Sequence, residues 1–155
     1  MADGLYETDF YLWTQRQAEL LRRRDAGANA LEWDNLAEEI ETLGRSEQAA
    51  CESQITNILL HFLKLHLVAD RQPERHWRAE IKAFRIGLRR HLSPSLRARL
   101  PAELDSIYAD ARALFDLQFE TDQVLASPPE ASPWTFEDIL GRGEDWTPAA
   151  YAASS

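Results

Sequence analysis

The sequence predicts an all-α fold: a single-domain helical bundle of five or six helices with an irregular C-terminal tail. Three observations lead there. Apolar residues recur at alternating spacings of three and four through most of the first 120 positions. No run of alternating β-branched residues reads as a strand. Glycine is scarce, at 6 in 155 residues, and prolines fall at segment edges.

The elements follow in order. Thr8 or Asp9 can accept hydrogen bonds from the free amides of a first helical turn, so a helix runs from there to about Arg24, with Phe10, Trp13, Leu20 and Leu21 as its buried face. A loop over Asp25 to Asn29 precedes a second helix, starting between Asn29 and Asn35, with Leu36, Ile40 and Leu43 at spacings of four and three. Gly44 ends or interrupts it. A central helix then covers Arg45 to Ala69, where Cys51, Ile55, Ile58, Phe62, Leu65 and Ala69 recur helically and Leu59, Leu60, Leu63 and Leu67 widen the stripe. Pro73 lacks an amide donor and disfavours helix at Gln72, so the next helix starts at about Glu74 and reaches His91, burying Trp77, Ile81, Phe84 and Leu88. Ser93-Pro94 is an N-cap followed by a first-turn proline. Pro101 separates that short piece from a helix reaching about Glu120, lined by Leu104, Ile107, Tyr108, Ala111, Leu114 and Phe115. The bundle thus spans residues 1–120. Residues 121–155 form a tail with one short helix at Thr135 to Leu140, packed on the bundle through Trp134, Phe136, Ile139 and Trp146.

Composition limits the function. The 17 Lys+Arg and 26 Asp+Glu give a net charge of -9, which argues against nucleic acid and anionic membrane as general partners, because such binding is driven by neutralising phosphates. Cys51 is the single cysteine, which excludes an intrachain disulfide and a multi-cysteine metal centre. The start of the chain is acidic and lacks a signal peptide's basic and apolar regions, and the most apolar stretch, Ile58 to Ala69, is too short for a bilayer that needs about 20 residues. A cytoplasmic location is expected. The preference for arginine over lysine is ascribed to a GC-rich bacterial genome.

Two polar patterns are candidates for function. Arg71, Arg75, Arg78, Lys82, Arg85 and Arg89 repeat at four and three along one helix face, within a segment, residues 70–100, carrying nine basic and three acidic residues against a net of -15 elsewhere. This row is a candidate surface for an anion or an acidic partner. The competing expectation is that it meets the protein's own acids, Asp34, Glu38, Glu39 and Glu41 or Asp105, Asp110 and Asp116, or is a solvated face. On the central helix, Glu47, Gln54, Asn57, His61 and Lys64 form a polar seam whose buried members need partners, expected from Asp9, Glu38, Glu39 or Glu41. Asp9, Glu38, Glu39, His61 and Lys64 are therefore the candidate polar cluster. No metal or cofactor is expected, because no histidine stands three after a glutamate and His61 and His66, five apart, diverge by about 140°. Gly-rich phosphate loops, Gly-x-Ser-x-Gly, His-Glu-x-x-His and Cys-x-x-Cys are all absent.

The order of motifs resembles a known family. Tyr6-Glu7-x-Asp9-Phe10-Tyr11-x-Trp13, then Asn35-Leu-Ala-Glu38-Glu39-Ile40-Glu41-x-Leu43-Gly44-Arg45-Ser46-Glu47, Leu59-Leu60-His61-x-Leu63-Lys64, Trp77-Arg78-x-x-Ile81 and Pro94-Ser95-Leu96 are similar to the bacterial family catalogued as domain of unknown function 29. The resemblance covers about residues 6 to 120 and implies a small all-helical bacterial protein without an assigned activity. Members often continue with Phe-Pro and Cys-Pro-Tyr patterns where this chain reads Ala131-Ser132-Pro133-Trp134. The residues alone suggest a non-enzymatic binding or regulatory protein, with a second copy of itself or an acidic molecule as partner. The alternative is a metal- or carboxylate-dependent enzyme centred on Glu38, Glu41 and His61.

Overall fold

The computed structural model describes residues 4–23, 32–141 and 147. The chain is all-α, with segments α1 (Leu5–Thr8), α2 (Phe10–Arg23), α3 (Trp33–Leu67), α4 (Glu74–His91), α5 (Pro94–Arg99), α6 (Leu104–Gln118) and α7 (Phe136–Leu140). Single 3-10 turns occupy Leu100–Glu103 and Thr121–Gln123. Helix ends follow local chemistry. Asp9 closes α1 and caps α2, accepting from the Leu12 amide at 3.0 Å. α4 begins directly after Pro73, and α5 starts at Pro94 behind Ser93. Thr135 and Asp138 exchange side chain to backbone bonds of 3.2 and 2.9 Å, a capping box at the start of α7.

The described residues pack as two compact units, one drawing on the chain up to Cys51 with His91–Arg99, the other on Glu52–Arg90 and the chain from Leu100 onward. In the first unit Gly44 neither ends nor interrupts a helix, since α3 runs through it for 35 residues. A Cβ at Gly44 would lie 2.3 Å from Thr14 Oγ1, so glycine is there to let α2 approach. Ala37, Gly44 and Cys51, seven residues apart, form the buried row of α3, and Tyr11, Thr14 and Ala18 that of α2. This seam corrects the expected burial. Leu20, Leu36 and Leu43 are 59%, 40% and 49% exposed, and Phe10, Trp13 and Leu21 only half-buried. Small residues permit close backbone approach, which pushes the flanking large side chains outward.

In the second unit the end of α3 buries Ile55, Ile58, Leu59, Phe62 and Leu63 completely, as its widened stripe predicts. α4 contributes Trp77, Ile81 and Leu88, and α6 contributes Ile107, Tyr108, Ala111 and Phe115. Two expectations need correction: Leu114 is exposed, and the inward position next to Phe84 is taken by Arg85, at 3% exposure. After α6 the chain returns to the end of α3, where the Leu125 amide donates to Leu67 O at 2.7 Å and the Ala69 amide to Gln123 O at 3.0 Å. Tyr108 Oη donates to Pro129 O at 2.9 Å, and Trp134 meets Phe62 edge-on at 5.2 Å. Trp134, Phe136 and Ile139 are buried, whereas the expected loop at 25–29 and the contact of Trp146 lie outside the described residues.

Candidate functional site

The seam on α3 finds its partners on α4. His61 is buried, with Nδ1 2.7 Å from Asn57 O, Nε2 2.5 Å from Glu80 Oε2 and its ring against Phe84. Glu80 Oε1 also stands 3.4 Å from His76 Nε2. Burial pushes the Lys64 ammonium below its usual range, opposed by the nearby Glu80 carboxylate. The Gln54 amide packs onto Gly87, where a Cβ would be 3.0 Å from its Cδ. Glu47 meets His91 at 3.0 Å.

Both nitrogens of His61 therefore face acceptors. A neutral imidazole carries one N–H, so the second bond needs an additional proton between Nε2 and Glu80. Burial lowers the imidazole pKa most strongly, Lys64 adds to that, and the Asn57 carbonyl and Glu80 oppose it, leaving a net shift downward. An NMR titration is expected to place the His61 midpoint below the ordinary value of about 6.5. Glu80→Gln should move it lower still, because a carboxylate that favours the imidazolium has gone. A midpoint indifferent to Glu80→Gln would contradict the pairing.

The acids expected to meet this seam are engaged or placed elsewhere. Asp9 is buried, and its carboxylate accepts from the Ser95 amide at 2.7 Å and the Ser95 hydroxyl at 2.8 Å besides the Leu12 amide. It ties the start of α2 to the start of α5. Glu41 pairs with Arg22 and, at 3.8 Å, with Arg45. Glu38 and Glu39 are exposed on the part of α3 that belongs to the first unit, whereas His61 belongs to the second. Among the candidate cluster only His61 and Lys64 come together, and the acid that joins them is Glu80. One signal pointed to it: Glu80 is the sole acid between Glu74 and Glu103.

The basic row of α4 divides. Arg71 donates to Leu65 O at 2.5 Å and meets Glu74 at 2.8 Å, and Arg78 grips the same Glu74 through Nε and Nη2 at 3.2 and 2.9 Å. These guanidiniums hold the Glu74 carboxyl below its usual range, so the internal acid that two members of the row meet is the first residue of α4, with Arg78 one turn along that helix and Arg71 in the turn before it. Arg85 is withdrawn from the surface, donating from Nε to Ile139 O at 2.9 Å and from Nη2 to Asp138 O at 3.0 Å, over the Phe62 ring. Arg75 and Arg89 face outward, and Lys82 between them is half-buried.

His66 was outside both patterns. Its ring leans on Trp134, and neither buried nitrogen has a hydrogen-bond partner among the described residues. Burial, then Arg71 and Arg78, push its pKa down. A buried N–H without a partner costs about 1–3 kcal/mol, so His66→Phe is expected to be neutral or to stabilise by roughly 1 kcal/mol in thermal unfolding at neutral pH. A clear loss would show that the imidazole is needed.

Among the described residues no three His, Cys, Asp or Glu side chains are arranged to hold a metal ion, and no helix is long and apolar enough to cross a membrane. An open groove of about 440 Å³ runs between α3 and α6, lined by Ser53, Thr56, Asn57, Asp110, Leu114 and Leu117. A family model described as "Domain of unknown function DUF29" matches residues 5–146. No curated protein matches the chain. The crystal structure of an α-helical protein of unknown function from Rhodospirillum rubrum is similar with a TM-score of 0.71 and 24% identity, over 90% of this chain and 91% of that one, a likeness of fold.

Proposed function

The chain belongs to the DUF29 family, whose function is unknown, and on that footing we propose that it is a non-enzymatic binding protein of the bacterial cytoplasm, engaging an acidic partner through the outer side of α4. One observation carries the reading. Basic charge is concentrated in residues 70–100, at +6 against -15 elsewhere, and Arg75, Arg89 and Arg90 of that segment are exposed. The enzyme reading has less support, because Glu41 is committed to Arg22 and Arg45 and both His61 nitrogens stand against acceptors of the protein itself, Asn57 O and Glu80. An acidic protein surface fits better than nucleic acid, since a net charge of -9 repels a long, highly charged duplex more than a short acidic segment seated on α4.

The test is a fluorescence titration with a labelled polyglutamate peptide and with duplex DNA, at low and high salt. Binding of the peptide that weakens with salt and is lost in an Arg75→Glu, Arg89→Glu variant is the expected result. Equal absence of peptide binding by both proteins would remove the proposal, and tighter binding to DNA would replace the partner class.

A further inference from the structure

The first unit carries an apolar face that its own packing leaves outside. In α2 the row Phe10, Trp13 and Gln17 stands one residue before the buried row Tyr11, Thr14 and Ala18, and Leu20 continues it. In α3, Leu36 and Leu43 likewise stand one residue before buried Ala37 and Gly44. One residue is 100° of helix, so each outward row flanks the seam. The two helices run antiparallel here, because Thr14 meets Gly44 while the later Arg22 meets the earlier Glu41. Arg22 and Glu41, each four residues after a buried alanine, close one side of the seam. The rows one residue before the seam therefore share its other side. They make a single patch in which Leu20, Leu36 and Leu43 are each at least 40% exposed.

The rim of this patch is charged in a regular way. Glu32 and Glu39, both exposed, stand four residues before Leu36 and Leu43 and so lie alongside them. The outer face of α4 repeats that layout with the opposite sign. Ala79, Ala83 and Ile86 are exposed, Ile86 at 40%, opposite the buried Trp77, Ile81 and Leu88. Arg75 stands four residues before Ala79, Lys82 four before Ile86, and Arg89 three after Ile86. Both helices thus present apolar residues seven apart, with a charge one turn earlier in the chain. When two such helices lie antiparallel, their apolar rows meet and the acidic flank of one faces the basic flank of the other.

We propose that this face docks a second copy of the chain, the Leu36 and Leu43 stripe of one molecule receiving the outer face of α4 from another. The inference rests on the reading of α4 as a binding surface and names its acidic partner. The contact joins two different surfaces, so it closes reciprocally into a dimer or continues into a larger assembly.

Sedimentation equilibrium at low salt, with protein up to about 100 μM, is enough to populate a micromolar contact. The wild type is expected to exceed its 17.8 kDa chain mass at least twofold, with salt reversing the gain. Leu36→Asp with Leu43→Asp, and separately Arg75→Glu with Arg89→Glu, should each give a monomer. Mixing the two variants should restore a dimer, because one keeps α4 intact and the other keeps the leucine stripe. Arg75→Lys with Arg89→Lys should still associate, and helical circular dichroism equal to wild type shows that each variant is folded. A wild type that stays at the chain mass, an Arg75→Glu, Arg89→Glu variant that still dimerises, or a mixture that stays monomeric would each overturn the proposal. If polyglutamate still binds a monomeric wild type, this inference fails while the α4 reading survives; loss of both removes both.

Discussion

Arg85→Ala is expected to cost about 2–4 kcal/mol, through a cavity beside Phe62 and two carbonyls left without a donor. For a chain of this size that is a fall in Tm of roughly 5–15 °C. The Arg85 guanidinium donates to Asp138 O and Ile139 O at the end of α7, so it fastens the C-terminal segment to the face of α4. It is where a helix C-terminus favours a cation, although burial, and to a smaller degree Arg89, lower its pKa. Gly141 belongs to the same device. Its φ of 88° suits glycine, and a Cβ there would lie 2.9 Å from Arg85 Cζ. Arg85→Lys should recover only part of the loss, since an ammonium lacks the planar fork that reaches two carbonyls. Hydrogen exchange gives the local readout: amides around Ile139 and Gly141 should lose protection in Arg85→Ala. An unchanged Tm with unchanged exchange there would show that the segment is held by Trp134, Phe136 and Ile139 alone.

Asp9→Ala is expected to cost a similar amount, about 2–4 kcal/mol, by removing the cap of α2 and charge-assisted bonds to Ser95. Asp9→Asn, which keeps one acceptor oxygen, should cost less. The pH dependence has a definite sign. Burial by itself raises the Asp9 pKa, but the Leu12 amide, the hydroxyl and amide of Ser95 and the Ser93 hydroxyl together bring it below the usual aspartate value. Its contribution is therefore present above about pH 4 and is lost as pH falls through the lowered folded value. The histidines act earlier. His61 and His66 both have depressed folded values, so the unfolded chain takes up protons first and stability declines as pH drops below about 6.5. Thermal melts against pH should show the histidine decline and then a steeper one below pH 4, the latter reduced in Asp9→Asn. A melt curve for Asp9→Asn parallel to wild type below pH 4 would exclude this role for the carboxylate.

These two residues show what could be read without a structure. Asp9 was legible as a cap because its Leu12 bond lies within one helical turn. Its second role needs Ser95, 86 residues away, and no local pattern points there. Arg85 read as one charge in a regular row, since spacing says which side of a helix a residue occupies but not what waits on that side. The carbonyls of Asp138 and Ile139 decided that it goes inside. Likewise the spacing of His61 and Lys64 puts them on one face of α3, but the acid beside both is Glu80 from α4 rather than Glu38 or Glu39.

The all-α class, the ends of most helices and the motif order of the family follow from local signals, because caps, prolines and apolar spacing act within a few residues of where they stand. The core of α3 beyond Cys51 is legible too, because its apolar stripe is wide enough that Ile55, Ile58, Leu59, Phe62 and Leu63 are buried whichever neighbour packs there. Packing, by contrast, settles which row of α2 and of early α3 turns inward. That choice depends on how closely two backbones approach, and Ala37 and Gly44 win it over Leu36 and Leu43 by being small. It decided the polar partners for a related reason: a buried carboxylate, imidazole or guanidinium settles on whichever groups the packed helices bring within about 3 Å, wherever in the chain those groups began.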